Sequence, residues 1–309
     1  MEELSIIIVN WNTKEILLQC LQSLIDTTHG LFIEIIVVDN GSTDGSVAAV
    51  KLRFPQVKII CNDQNLGFAK ANNIGIKRSK GHYVCLINSD IVVLDDTLHQ
   101  MRAYMNEHPS IGILAPKLLN QDLTPQLSCK RFPTLWNNFC VAIGLYKIFP
   151  NIKLFAGEHI KLASHIIQLV DVASGAFWMV RREGLQEVGL LDDNFFFYGE
   201  DIDWCKRFWQ AKWQVVYFPQ ARAIHYNGRS SAAAPTKYYI EFRRARLKYW
   251  KKHHNRFSQI CYLAILFLHQ IIRIVGEIIL YTIKPSERKN FLVKIKRNLE
   301  CIRWLFHFS

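Results

Sequence analysis

Four short segments carry side chains whose types and spacing could do chemistry. Asp39 ends the apolar, β-branched run Ile33-Glu34-Ile35-Ile36-Val37-Val38. A carboxylate there can accept the imide N–H of a uracil or thymine ring. It can equally open the tight turn Asp39-Asn40-Gly41-Ser42 and cap the helix that follows. Asn88-Ser89-Asp90 ends a second apolar run. A carboxylate at that place could hold a divalent cation that bridges a diphosphate and stabilises it as it departs, or it could end the strand in a plain turn. Glu200-Asp201-Ile202-Asp203-Trp204 follows three phenylalanines, a tyrosine and a glycine. Asp201, at the start of a helix, could take the proton from an attacking hydroxyl; the bland reading is that Glu200, Asp201 and Asp203 only favour a helix N-terminus. His225 could ligate a metal through one imidazole nitrogen, although a single histidine is more often structural.

The elements that must position these groups are legible from periodicity. Ser5 to Asn10 is a short apolar run that suits a strand buried on both faces of a parallel sheet. Ile16, Leu17, Cys20, Leu21 and Leu24 then recur at helical spacing. Residues 33–38 read as a second strand, 44–53 as a helix, 57–61 as a third strand, 66–79 as a helix and 83–87 as a fourth strand. This alternation predicts an α/β fold with a mostly parallel sheet. Asn10, Asn12, Asp39, Asn40, Asn88 and Asp90 cluster just past the strand ends, where open α/β sheets bind ligands. Asn65-Leu66-Gly67, at the head of the second of these helices, offers neutral hydrogen-bonding groups and a glycine that would let backbone approach a ligand.

Residues 112–170 are less regular, and a second organised block runs from 171 to His225. The eight cysteines form no C-x-x-C pair, which excludes a zinc ribbon or redox motif of that type and favours buried thiols in a reducing compartment. The start carries acid rather than base and does not resemble a secretory signal, so a cytoplasmic catalytic body is expected. The first strand is followed by Asn10-Trp11-Asn12 and not by G-x-G-x-x-G, which argues against a dinucleotide-dependent dehydrogenase.

Charge is unevenly placed. Residues 1–235 balance 22 Lys/Arg against 22 Asp/Glu, whereas residues 236–309 hold 16 Lys/Arg against 4 Asp/Glu. The whole excess of +12 thus lies in the tail, and it points to a polyanionic partner. Within the tail, residues 260–283 are strongly apolar but interrupted by His269, Arg273 and Glu277, which share one helical face and could pair as Arg273–Glu277. That stripe is costly inside lipid, so a helix lying in an anionic membrane interface is expected in preference to a spanning one or to nucleic-acid binding, with helices packed on the catalytic body as the alternative.

Taken in order, these segments resemble the inverting glycosyltransferases of family 2, which have the GT-A fold, and especially the rhamnosyltransferase-like branch that acts in bacterial surface polysaccharide assembly. The resembling elements are Ile8-Val9-Asn10-Trp11-Asn12, residues 37–46, residues 65–75, Asn88-Ser89-Asp90, Ser174-Gly175-Ala176-Phe177, residues 199–205, and His225 with Gly228 and Ser230. The resemblance implies a GT-A catalytic domain over 1–235, with a nucleotide-binding half at 1–110 and an acceptor-binding half at 111–235. The basic helical tail, 236–309, would associate with the membrane. Asp39, Asn10 and Asn65 would contact the nucleobase, with Asn12, Gly67, Lys70, Asn88 and Ser89 completing the donor set. Asp90 and His225 would bind the metal, Mn2+ or Mg2+. Asp201 would be the base with Glu200 beside it, and Gly175, Trp178 and Trp204 would shape the acceptor side. Many GT-A enzymes carry Asp-x-Asp at the metal; here Asn88 takes the first place, one charge fewer. The implied partners are a dTDP- or UDP-sugar and a lipid-linked glycan at the cytoplasmic face of the plasma membrane. A polyprenyl-phosphate acceptor and an inactive nucleotide-sugar-binding scaffold are the alternatives.

Overall fold

The computed structural model describes residues 3–149, 151–158, 160, 162, 165–226 and 235–308. Gly228 and Ser230 lie outside the described residues. The chain divides into two compact units, residues 1–131 with 161–230 and residues 132–160 with 231–309.

The first unit alternates strand and helix: β1 Leu4–Asn10, α1 Lys14–Thr27, β2 Ile33–Asp39, α2 Ser46–Arg53, β3 Lys58–Cys61, α3 Phe68–Arg78, β4 Tyr83–Asn88, β5 Ile91–Val93, α4 Thr97–Glu107, β6 Ile111–Leu119 and β7 Cys129–Lys130. Each expected strand and helix of the first third is present, within a residue or two of its predicted ends. Burial explains the match. β1 is all but closed to solvent on both faces, and α1 buries the five residues whose spacing announced it.

Between the units' shares of sequence run α5 Leu135–Ala142 and α6 Leu145–Ile148, which belong to the second unit. The first unit then resumes with β8 Gln168–Leu169, β9 Val172–Ala173, β10 Phe177–Arg181, α7 Arg182–Val188, α8 Glu200–Gln210 and β11 Gln214–His225. Its nine-stranded sheet has the order β3-β2-β1-β4-β10-β6-β11-β5, with β8 on β11. β1 to β4 are mutually parallel, and β6 is parallel to β11. β10 enters antiparallel between β4 and β6, and β5 returns antiparallel on β11. This antiparallel insertion brings Ala176, just before β10, to the carboxyl end of β4. β11 is far longer than the expected 215–218 strand because an irregularity between Phe218 and Arg222 lets it bend and continue to His225.

The second unit is helical. Besides α5 and α6 it contains α9 Pro235–His253, α10 Arg256–Ile283, a short turn of helix at Pro285–Glu287 and α11 Arg288–Phe308. Residues 132–160, expected in the acceptor-binding half, cluster with these C-terminal helices and not with the sheet. The chain leaves the sheet at a capping box: Thr134 Oγ1 accepts from Asn137 N, and Asn137 Oδ1 accepts from Thr134 N. α5 then packs on α10. α10 is long and apolar enough to cross a membrane by length and composition. Its expected polar stripe is only partly outward. His269 and Glu277 are buried while Arg273 is exposed. Glu277 lies 4.0 Å from Lys294 of α11, so that helix takes the place expected of Arg273.

Candidate active site

Of the predicted donor residues, Asn10, Asn12, Asp39 and Ser89 are linked by hydrogen bonds at the strand ends. Asn10, the last residue of β1, is fully buried, and its Nδ2 donates to Asp39 Oδ1 at 2.7 Å, to Ser42 Oγ at 3.0 Å and to Ser46 Oγ at 2.9 Å. The parallel register sets Asn10 against Asp39, so the pairing follows directly from the sheet. Asp39 Oδ2 accepts from Ser42 N at 2.9 Å. Asp39 is 2% exposed, and the role the structure shows for it is the one expected of a turn residue. Both oxygens already organise the 40–46 turn, and each keeps a further lone pair. Asn12 projects at the rim with φ of +52° and ties the turn down through Thr43 N and Ser42 Oγ. On the other side, Asn10 Oδ1 accepts from Thr13 Oγ1, and Thr13 Oγ1 meets Ser89 Oγ at 2.9 Å. Thr13, which no sequence signal marked, joins the Asp39 end of the site to the Asn88-Ser89-Asp90 end.

Asp90 and His225 are brought together by the antiparallel pairing of β5 with β11, which sets His225 opposite Ile91. His225 Nε2 lies 3.4 Å from Asp90 Oδ1, and both side chains are largely shielded from solvent. A second side chain fixes the ring. Gln126 Nε2 donates to Asn120 Oδ1 and to the His225 carbonyl, so its Oε1 faces His225 Nδ1 at 2.7 Å. The ring's proton therefore sits on Nδ1 in the neutral form, and the Nε2 lone pair points at a carboxylate oxygen. In that tautomer both facing atoms are acceptors, so a divalent cation placed between them would find two ligands. Among the described residues there is no cluster of three or more His, Cys, Asp or Glu side chains. The protein thus offers two ligands and a histidine-orienting amide, which fits Mn2+ or Mg2+, ions that complete their shell with phosphate oxygens and water.

The carboxylate pair opens α8. Asp201 is partly exposed, and its Oδ1 accepts from Ile202 N. Glu200 is 7% exposed with Oε2 unpartnered among the described residues. Burial first, and the Asp201 carboxylate second, push Glu200 up to about 8. Near neutral pH Glu200 is therefore protonated, and Asp201 stands beside it in the first turn of the helix. Asp203 is fully buried and paired with Arg207, which also donates to the carbonyls of Val188 and Leu190. Its role is to dock the helix. The backbone is strained two residues before the helix, where Tyr198 has φ of +69°, and Gly199 follows at +85°.

The Gly67 region differs from the expectation in an instructive way. Gly67, also at positive φ, gives close approach to protein backbone and not to open space. A Cβ there would stand 2.5 Å from the Phe196 carbonyl oxygen. Phe68 N donates to that same carbonyl at 2.9 Å. Asn65 Oδ1 caps Gly67 N and accepts from Asn40 Nδ2, while Lys70 is exposed. Asn73 Nδ2 donates to the Leu191 carbonyl and to Asp193 Oδ1, and its Oδ1 accepts from Leu191 N. The head of α3 thus holds the 191–199 loop that delivers Asp201. Trp178 and Trp204, expected to line the acceptor side, are both closed to solvent and pack on each other at 5.4 Å between ring centroids. Trp178 lies beneath Gly175, whose Cβ would meet the indole at 3.3 Å. These indoles back the wall, and Gly175 is the part of it at the surface. The wall adjoins Asn88, whose N–H donates to the Ala176 carbonyl.

Comparison with known proteins identifies the family and the fold. The family model described as Glycosyl transferase family 2 matches residues 5–189. An N-acetylglucosaminyl-diphospho-decaprenol L-rhamnosyltransferase of Mycobacterium tuberculosis is 26% identical over 217 residues, 67% of this chain and 70% of that protein. The low-salt glycan biosynthesis hexosyltransferase Agl10 of Haloferax volcanii is 24% identical over 249 residues, 79% of this chain and 74% of that protein. Among solved structures, the mannosyltransferase PcManGT of Pyrobaculum calidifontis, in complex with GDP-Man and Mn2+, matches with a TM-score of 0.59 at 14% identity, covering 97% of this chain and 85% of that one. The fold is GT-A.

Proposed function

This chain belongs to glycosyltransferase family 2, and we propose that it is a metal-dependent inverting enzyme which moves a sugar, rhamnose in the first instance, from a dTDP- or UDP-sugar to a hydroxyl of a lipid-linked glycan in bacterial surface polysaccharide synthesis. The observation that carries this reading is the convergence of Asp90 Oδ1 and His225 Nε2 at 3.4 Å, next in sequence to Ser89, where the side-chain hydrogen bonds that run from Asp39 through Asn10 and Thr13 end. Asp39 and Asn10, with Asn12 at the rim, fix the turn against which the nucleobase rests. Asp90 and His225 would hold the divalent cation, which supplies Lewis-acid charge for the departing nucleoside diphosphate. Asp201 takes the proton of the acceptor hydroxyl as it attacks the anomeric carbon. Attack opposite the leaving diphosphate in a single displacement inverts that centre. Glu200, held neutral, keeps a second negative charge away from the base.

The rhamnosyltransferase relative, named for a lipid-linked N-acetylglucosamine acceptor, supports the acceptor class. The basic tail and the exposed apolar face of α10 support peripheral attachment to an anionic membrane on the cytoplasmic side. The test supplies labelled dTDP- and UDP-sugars with bacterial lipid extract. Label should enter the solvent-extractable lipid with the anomeric configuration opposite to the donor's, as NMR of the product would read. Incorporation with retained configuration, or none from any donor, contradicts the proposal.

A further inference from the structure

The second unit inverts the usual placing of polar groups. α10 turns Phe267, Leu268, Ile271, Ile272, Val275 and Ile278 outward, while His269, Gln270 and Glu277 are buried. The facing helix α11 buries Asn298 at 1% exposure, between apolar Phe291 and Cys301. The two contacts Glu277–Lys294 and Phe267–Phe306 fix the helices' mutual register, and Gln270 and Asn298 fall between them.

This seam is basic, and its unpartnered buried donors outnumber its unpartnered buried acceptors, Asn298 Oδ1 and Glu277 Oε2. Tyr239 of α9 donates to Gln270 Oε1 at 3.1 Å. Two guanidinium groups crowd its ring: Arg243 at 5.0 Å and Arg297 at 4.3 Å from the centroid. Arg243 Nη2 reaches only Tyr239 Oη and His269 Nε2. Neither arginine forms an ion pair with a carboxylate among the described residues. The seam's own acid, Glu277, faces Lys294. Buried donors without a partner are Arg243 Nε, Arg297 Nε, Gln270 Nε2 and Asn298 Nδ2. Like charges drawn to one ring, with several desolvated donors beside them, are costly unless an anion is supplied.

We propose that the seam between α9, α10 and α11 binds the phosphate of an anionic lipid. Phosphate oxygens supply the acceptors that Arg243, Arg297, Gln270 and Asn298 lack, and guanidinium groups suit them. The apolar outer face of α10 matches the hydrocarbon that such a phosphate carries. The phosphate could come from a phospholipid headgroup or from the diphosphate of an isoprenoid carrier.

The experiment measures thermal stability of the full chain in EDTA, which leaves the Asp90–His225 pair without a cation. The probes are inorganic pyrophosphate, farnesyl diphosphate, and phosphatidylcholine vesicles with and without phosphatidylglycerol. Wild type and the inactive Asp201→Asn variant are expected to gain stability equally, so the result stands apart from the transferase reading. Arg297→Met and Asn298→Leu should bind about tenfold or more weakly, the loss of a charge-assisted or buried hydrogen bond. Asn298→Leu should also melt no lower than wild type without ligand, since it removes two unpartnered buried atoms. A response to farnesyl diphosphate identifies an isoprenoid carrier and one to phosphatidylglycerol alone a headgroup, whereas a response to pyrophosphate that neither lipid matches overturns the lipid proposal. No response to any probe, or equal responses in wild type and both seam variants, overturns the proposal.

Discussion

Gln126 and Glu200 are the side chains whose removal separates positioning from chemistry. Gln126 Oε1 holds the His225 ring with Nε2 toward Asp90. Gln126→Leu should weaken Mn2+ binding about 10- to 100-fold, the usual effect of removing a group that orients a metal ligand. Titration followed by the Mn2+ electron spin resonance signal checks this without turnover; an unchanged affinity contradicts it. Glu200 behaves oppositely to an ion-paired carboxylate. Its ordinary value is 4.5 and it rises to about 8 in the folded chain. Between those values the folded state holds a proton that the unfolded state has lost, so stability falls as pH rises through the window. Glu200→Gln should flatten that fall, as denaturant melts across the pH range would show; a parallel pH dependence in the variant counts against a neutral Glu200. The places of Asp90, just past a strand, and Asp201, in a helix's first turn, were legible from local pattern; His225 lay beyond the strand expected at 215–218, and its partnership with Asp90 came only with the resemblance. Gln126 was not legible, since it lies in the irregular, proline-punctuated stretch and meets His225 across 99 positions of sequence.

At the scale of elements, the head of α3 and the 191–199 loop behave as one piece. Gly67 has φ of +85° and ψ of 173°, a region only glycine occupies readily. Its missing side chain admits the Phe196 carbonyl. Gly67→Ala should therefore destabilise the fold by about 2 kcal/mol or more and reduce kcat by shifting the loop that ends at Asp201. Urea unfolding and steady-state kinetics read the two effects; a variant with wild-type stability would show that the loop has room to move. The parallel half of the sheet was legible from its β-branched runs, because strands buried on both faces have few other reasons to look that way. The antiparallel insertion of β10 was not. Register between β4 and β10 is a tertiary choice, and the apolar run at 177–180 suits either direction. For the same reason the buried tryptophans misled the reading, since an aromatic beside an acid motif can line a pocket or support it from behind.

For the molecule as a whole, charge and hydropathy are segregated along the chain, with the excess of +12 confined to residues 236–309. Attachment to anionic vesicles should weaken as salt rises and fall off between low and physiological ionic strength. Sedimentation with phosphatidylglycerol vesicles reads this directly, and salt-independent recovery in the pellet would point to burial of α10 in hydrocarbon with little help from charge. The tail's basic and apolar character could be read from sequence. The recruitment of residues 132–160 to the helical unit could not, because it depends on which surface α5 covers. The central claim is that the strand-end constellation turns over a nucleotide-sugar. Nucleoside diphosphate release from dTDP-, UDP- and GDP-sugars with lipid extract, in Mn2+ or in EDTA, tests it most directly when wild type runs beside Asp201→Asn. The account predicts release from one donor class with Mn2+, lost in EDTA and reduced by about a thousandfold or more in the variant. Release that survives both EDTA and the substitution, or no release with any donor, would contradict it.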